Sequence, residues 1–182
     1  PEATTNEFVT DLMKRFSIGL IQECGPLLGC KGGHVVIASD ASDRTPAVVV
    51  HRAFASKILK SEFGLHHAAV KLSSLDGDAV FIGMYLPDTS KSFDSFAAAI
   101  SDIDNCLVAF GVHTRILVGG DANVQLPPCD LLVGPSVSGS YVNDRGNLLL
   151  CLAAKWNLEW TSTFSDQSPC WTIELKNTKE HL

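Results

Sequence analysis

An aspartate and an asparagine two residues apart, Asp121 and Asn123, follow directly on the apolar run Ile116, Leu117, Val118 and the pair Gly119 and Gly120. In extended backbone, residues i and i+2 project to the same side, so the carboxylate and the carboxamide would share one face. A carboxylate can take a proton or hold a cation, and an amide can donate hydrogen bonds to an anion. That pairing suits metal-dependent chemistry on a phosphate. The glycines are expected to stop a short buried strand and to let the backbone approach a ligand closely. An Asx-turn after a strand would use the same residues for structure alone, so this stretch by itself leaves both readings open.

Two other apolar runs end in the same way. Residues 17–21 read as a buried strand that stops at Gln22 and Glu23. Residues 79–85 read as a strand covered on both faces, closing at Tyr85, Leu86, Pro87 and Asp88. Three strand ends carrying a carboxylate, a phenol and a carboxylate–carboxamide pair can converge on one rim of a sheet sandwich. Singly, each has a plain alternative: a solvated loop glutamate, or a rim tyrosine that keeps its hydroxyl wet while burying its ring.

The elements that would position these residues follow from periodicity. Residues 5–16 show Phe8, Leu12 and Phe16 at helical spacing, widened by Val9 and Met13. Strands are expected over 34–38, 47–51 and, more briefly, 54–59. Residues 65–73 and 79–85 flank Asp76 and Gly77, a hairpin signal. The clearest helix spans 92–110, with Phe93, Phe96, Ala97, Ile100, Ile103, Leu107 and Phe110 on one stripe. A strand over 114–118 follows, then a proline-bearing loop over 125–141. A helix over 145–156 comes next, with Leu148, Leu149, Leu152 and Trp156 as its core face. Strands are expected over 158–164 and from Cys170 to Ile173. This order predicts an α+β chain: a two-layer β-sandwich flanked by helices.

With 182 residues, 46% hydrophobic and 19% charged, the chain fits one soluble globular domain. The formal net charge of −6 excludes a strongly basic nucleic-acid coat. It does not exclude an enzyme that meets a phosphate through a divalent cation. No apolar run approaches a membrane span, and the first residues lack the basic and apolar regions of a signal peptide. An intracellular protein without membrane contact is therefore expected. The six cysteines form no C-x-x-C pair, so zinc is not expected from spacing, and six separate small core thiols are. Adjacent strand residues face opposite sides, so His66 and His67 cannot easily chelate one metal, and they and His51–Arg52 read as surface or rim residues.

Taken in order, Gln22-Glu23, Tyr85-Leu86-Pro87 and Gly120-Asp121-Ala122-Asn123 resemble the motifs of the endonuclease/exonuclease/phosphatase superfamily. That superfamily includes deoxyribonuclease I, apurinic endonucleases and the endonuclease domains of non-LTR retrotransposons. The stretch from Asn143 through Gly146 to Leu149, followed by 158–164, is similar to the retrotransposon branch. There Ser162-Thr163 stands in place of the usual Asn-Thr. Trp171-Thr172 resembles the Thr-Trp segment that follows. The resemblance covers about residues 17–173.

It implies a DNase I-like fold with four layers, α/β/β/α. It also implies Glu23 as ligand of Mg²⁺, with Mn²⁺ an alternative. Asp121 would orient or deprotonate the attacking water, Asn123 would donate hydrogen bonds to the scissile phosphate, and Tyr85 would stabilise developing charge. DNA is the implied partner, and no protein partner is inferable. Three departures accompany this. The family's first strand with its metal-associated Asn, and its closing Ser-Asp-His, are expected to lie outside this chain. The reading is thus a single incomplete domain over 1–182, of which His181 does not replace the histidine. Asp88 stands where relatives carry His, Asn or Ser. The implied activity is metal-dependent phosphodiester hydrolysis by a retroelement endonuclease. The alternatives are an inactive remnant of that fold, or a phosphatase of the same superfamily acting on small phosphates.

Overall fold

The computed structural model describes residues 7, 10–22, 33–39, 45–75, 77–111, 115–127, 132–133, 143–159, 171–173 and 179–181. The chain divides into two compact units, residues 1–123 and 124–182.

In the first unit, β1 (Ile18–Ile21), β2 (Val35–Ala38) and β3 (Ala47–Val50) form an antiparallel sheet in the order β1-β3-β2. A second sheet runs β4-β5-β6-β7, from Ile58–Phe63, His67–Leu72, Ala79–Tyr85 and Arg115–Asp121. Strands β4, β5 and β6 are antiparallel neighbours, while β7 lies parallel to β6. A parallel partner needs a crossover, and helix α1 (Phe93–Phe110) supplies it.

Pleat alternation explains the layers. All four residues of β3 are fully buried, because both its faces are covered. Val48 and Val50 point with Ile37 toward Ala68, Val70 and Leu72 of the other sheet. Ala47 and Val49 point the other way, toward Met13 and Ile21. Met13 follows the helical residues 10–12, so a helical segment caps the first sheet. Helix α1 covers the outer face of the second sheet, where Lys60 Nζ of β4 donates to the Ala109 carbonyl at 3.0 Å. Helix, sheet, sheet and helix therefore stack as the expected α+β, DNase I-like sandwich.

Helix α1 starts where the Ser92 hydroxyl accepts the Ser95 N–H at 3.2 Å, with Asp94 in the first turn. Phe96, Ile100, Ile103, Leu107 and Phe110 are buried along the predicted stripe. Replacing Ser92 with Ala should destabilise the protein by about 1 kcal/mol. Urea denaturation will show this as a lower midpoint with an unchanged slope.

Four expectations change. The glycine pair does not stop β7, which runs through Gly119 and Gly120 to Asp121 because the β6 backbone pairs it along its whole length. Nor is β7 buried throughout: it ends the order of its sheet, and Leu117 is 52% exposed. Residues 52–57 form a 3₁₀ helix rather than a strand, started by the His51 ring accepting the Ala53 N–H at 3.2 Å. Phe16, expected in a buried stripe, is exposed because the backbone leaves the helix after residue 12.

In the second unit, helix α2 (Asp144–Trp156) begins where the Asn143 side chain accepts the Arg145 N–H at 2.9 Å. Gly146 packs on the loop before it: a Cβ there would stand 2.5 Å from the Gln125 carbonyl oxygen. The helix ends at Asn157 in a left-handed conformation, and the Leu158 N–H returns to the Ala153 carbonyl. Leu158 thus completes the helix exit instead of opening a strand, and residues 160–164 lie outside the described ones. Strands β8 (Trp171–Ile173) and β9 (Lys179–His181) pair antiparallel. Cys106 is a buried thiol as expected, but Cys151 is exposed on α2. The remaining four cysteines lie outside the described residues.

Candidate active site

Tyr85 and Asp121 are direct partners in the parallel β6–β7 register. Partners across a pair of strands leave the sheet on the same face. Phe81 and Gly83, which share that face with Tyr85, lie against the first sheet, so Tyr85 and Asp121 stand at the rim of the sandwich interior. The Leu86 N–H donates to the Asp121 carbonyl at 2.9 Å, carrying the pairing one residue past the strand.

Beyond Asp121 the backbone turns sharply. Asn123 adopts φ 49°, a left-handed conformation that asparagine tolerates better than most residues. Its N–H donates to Asp121 Oδ1 at 3.0 Å, and its Nδ2 donates to the Leu86 carbonyl at 2.9 Å. The turn is thus present, and the extended backbone expected to set both side chains on one face is not kept past Asp121. The Asx-turn holds the carboxylate and the carboxamide beside the end of β6, and all three expected residues, Tyr85, Asp121 and Asn123, meet at one sheet end.

The first sheet contributes Gln22, which immediately follows β1. Its Oε1 and Nε2 are buried without a hydrogen-bond partner among the described residues. A Cβ on Gly120 would stand 2.8 Å from Gln22 Nε2 and would collide with the Met84 carbonyl oxygen. Only glycine lets β7 come this close to β6 and to Gln22. His66 joins the same rim, its Nδ1 lying 3.2 Å from the Tyr85 carbonyl oxygen. Sequence reasoning passed over the Gln22 amide because a carboxylate stood beside it. That carboxylate, Glu23, lies outside the described residues.

His67 corrects an expectation. It is only 3% exposed, because β5 turns it under α1, where its Nδ1 donates to Asp102 Oδ2 at 3.0 Å. Glu62, His67 and Cys106 together could hold a metal ion. The Cys106 thiol there is pushed up to about 12, first by burial and then by the nearby carboxylates of Glu62 and Asp102.

At the opposite end of the first sheet, the rings of His34 and His51 lie 4.9 Å apart. Burial lowers the His34 pKa, and the charges of His51 and Arg52 lower it further. The unfolded chain therefore binds more protons than the folded one between the two His34 pKa values. Stability should fall as pH drops below about 6.5, the ordinary histidine value. Chemical denaturation of a His34→Gln variant should show a shallower loss between pH 7 and pH 5 than the parent. An unchanged slope would remove His34 from the account.

This fold class, two stacked sheets with helices outside, is also that of a solved structure, the endonuclease domain of TRAS1, a telomere-specific non-LTR retrotransposon. The similarity has a TM-score of 0.55 at 18% sequence identity and covers 85% of this chain and 66% of that one. At that identity the likeness concerns the fold, and the chain spans just under two thirds of that domain. No family model and no curated protein matches the sequence. Among the described residues, no helix is long and apolar enough to cross a membrane.

Proposed function

We propose that this chain, taken as one domain over residues 1–182, is an endonuclease-type phosphodiesterase acting on DNA with Mg²⁺ or Mn²⁺. The observation that carries this reading is the β6–β7 register, which seats Tyr85 and Asp121 as partners while Asn123 bonds back to Leu86. Fold similarity to a retrotransposon endonuclease domain supports the same class.

In this reading Asp121 orients a water molecule and accepts its proton, with one carboxylate oxygen held by the Asn123 N–H. The Asn123 amide carries two N–H donors, and one is spent on the Leu86 carbonyl. The other serves a phosphate oxygen. The Tyr85 hydroxyl, on the same face, donates to developing charge. A hard divalent cation prefers oxygen ligands, and Gln22 Oε1, buried without a hydrogen-bond partner among the described residues, fits that preference. Glu23, Gln22 and Asp121 are the residues that would hold it. When bound, the cation supplies positive charge that polarises the phosphoryl group and eases departure of the leaving oxygen.

Incubating the chain with supercoiled plasmid and Mg²⁺ should yield nicked circles, with no product when EDTA replaces the metal. Absence of nicking under both Mg²⁺ and Mn²⁺ would overturn the reading in favour of an inactive remnant of the fold. Faster release of phosphate from inositol phosphates than nicking of plasmid would move the substrate to small phosphates.

A further inference from the structure

Glu62 of β4, His67 of β5 and Cys106 of α1 each bring a ligand-type atom within 4.8 Å of the other two. Glu62 pairs with Ala69, two residues beyond His67, so both side chains leave the sheet on the face that α1 covers. Asp102 lies one helical turn before Cys106 and accepts the His67 Nδ1–H at 3.0 Å. With Nδ1 protonated and engaged, the neutral ring presents Nε2 as its lone-pair nitrogen. Nε2 is buried without a hydrogen-bond partner among the described residues, in a side chain only 3% exposed. Native structures rarely leave a buried polar atom in that state unless something else occupies its lone pair. Gly64 leaves room for the His67–Asp102 pair, since a Cβ there would stand 2.7 Å from His67 Cε1 and 2.8 Å from Asp102 Oδ2.

We propose that Glu62, His67 and Cys106 form a zinc-class metal site that fastens β4, β5 and α1 together, on the opposite face of the sheet from Asp121. Imidazole, carboxylate and the thiolate left when metal binding releases the Cys106 proton make a borderline-soft donor set, which selects zinc over magnesium. Tetrahedral zinc, with bonds of about 2.0–2.3 Å, holds its ligand atoms roughly 3.3–3.8 Å apart. The ligand atoms stand within 4.8 Å of one another, so the part-exposed Glu62 side chain must turn inward to close the cluster to that spacing. Asp102 takes the place of the outer carboxylate that orients a ligating histidine. Glu62 and Asp102 have side chains 33% and 39% exposed, so one side of the cluster reaches solvent and a water can complete the coordination.

Two features bear on alternatives. Lys60 lies 3.6 Å from Glu62 Oε2 and competes for that carboxylate. It is also held by the Ala109 carbonyl and lies 4.8 Å from the Phe110 ring centroid, so it keeps those partners when Glu62 turns an oxygen to the metal. Cys106 has no exposed surface, which removes it as a nucleophile toward an external substrate. The ligands come from three separated elements, and that is why cysteine spacing gave no sign of zinc.

Cobalt(II) is the probe. The metal-stripped, reduced full chain should bind one equivalent of Co²⁺ with a thiolate-to-cobalt charge-transfer absorption. One equivalent of Zn²⁺ should abolish that absorption, and excess Mg²⁺ should not. Cys106→Ser should lose the band, while Cys151→Ser, on an exposed thiol elsewhere, should keep it. Asp102→Asn should keep the band with about 10–100-fold weaker affinity. Glu62→Gln, a change at a half-buried side chain, should also weaken cobalt binding in a protein that remains folded. No band at stoichiometric cobalt, an undiminished band in Cys106→Ser, displacement by Mg²⁺, or unchanged affinity in folded Glu62→Gln would each overturn the proposal.

Discussion

Asp121→Ala is expected to lower Mg²⁺-dependent plasmid nicking by about 10²–10⁴-fold, the range for removing a positioned acid–base group. Alanine also deletes the acceptor of the Asn123 N–H, so a structural loss could mimic a chemical one. Asp121→Asn separates the two. Its amide oxygen can still accept that N–H and hold the turn, but it cannot take a proton from water at neutral pH. Both variants should therefore be inactive, while Asp121→Asn keeps the thermal midpoint of the parent. Full activity in Asp121→Asn would exclude the proposed proton-acceptor role. A low midpoint in Asp121→Asn would place the loss in the turn rather than in the chemistry.

The second large effect belongs to Gly120. A methyl group there meets the Met84 carbonyl, which is backbone of the paired strand and cannot rotate away. The φ of 153° adds a conformation that side chains other than glycine rarely adopt. Gly120→Ala should cost about 2–4 kcal/mol through enforced backbone strain. For a chain of this size that lowers the thermal midpoint by about 5–15 °C. The β6–β7 pairing must open at Met84, one position before the Tyr85–Asp121 partners, so nicking should fall together with stability. Gly119→Ala makes the comparison. Its Cβ would meet only Leu20 Cδ1, the end of a flexible side chain, so the loss should be smaller. Equal losses at the two positions would mean that close backbone approach is not what Gly120 provides.

Much of the second sheet was legible in the sequence for a local reason. Alternating or continuous apolar residues report which faces are covered, at strand spacing in β6 and at helical spacing in α1. The continuous run of β6 and the Phe96–Ile100–Ile103–Leu107 stripe needed no distant partner to be recognised. The end of β7 was not legible in the same way. A glycine pair signals a break in an isolated chain, but β6 lies alongside and supplies hydrogen bonds through Asp121, so the strand continues. His67 was misplaced for the same kind of reason. As one of two adjacent histidines it looked exposed, and only α1 lying across β5 makes it buried.

The sequence by itself therefore determined the types of most described elements, the residues that stand at three strand ends, and the resemblance that joins them. The tertiary structure decided which residues meet. It set Tyr85 opposite Asp121 through a parallel crossover, brought the Gln22 amide beside Gly120, and collected Glu62, His67 and Cys106 from two strands and a helix. Periodicity encodes that a face is buried, whereas the partner on that face is selected by crossover, register and packing between distant segments. No local pattern carries that information.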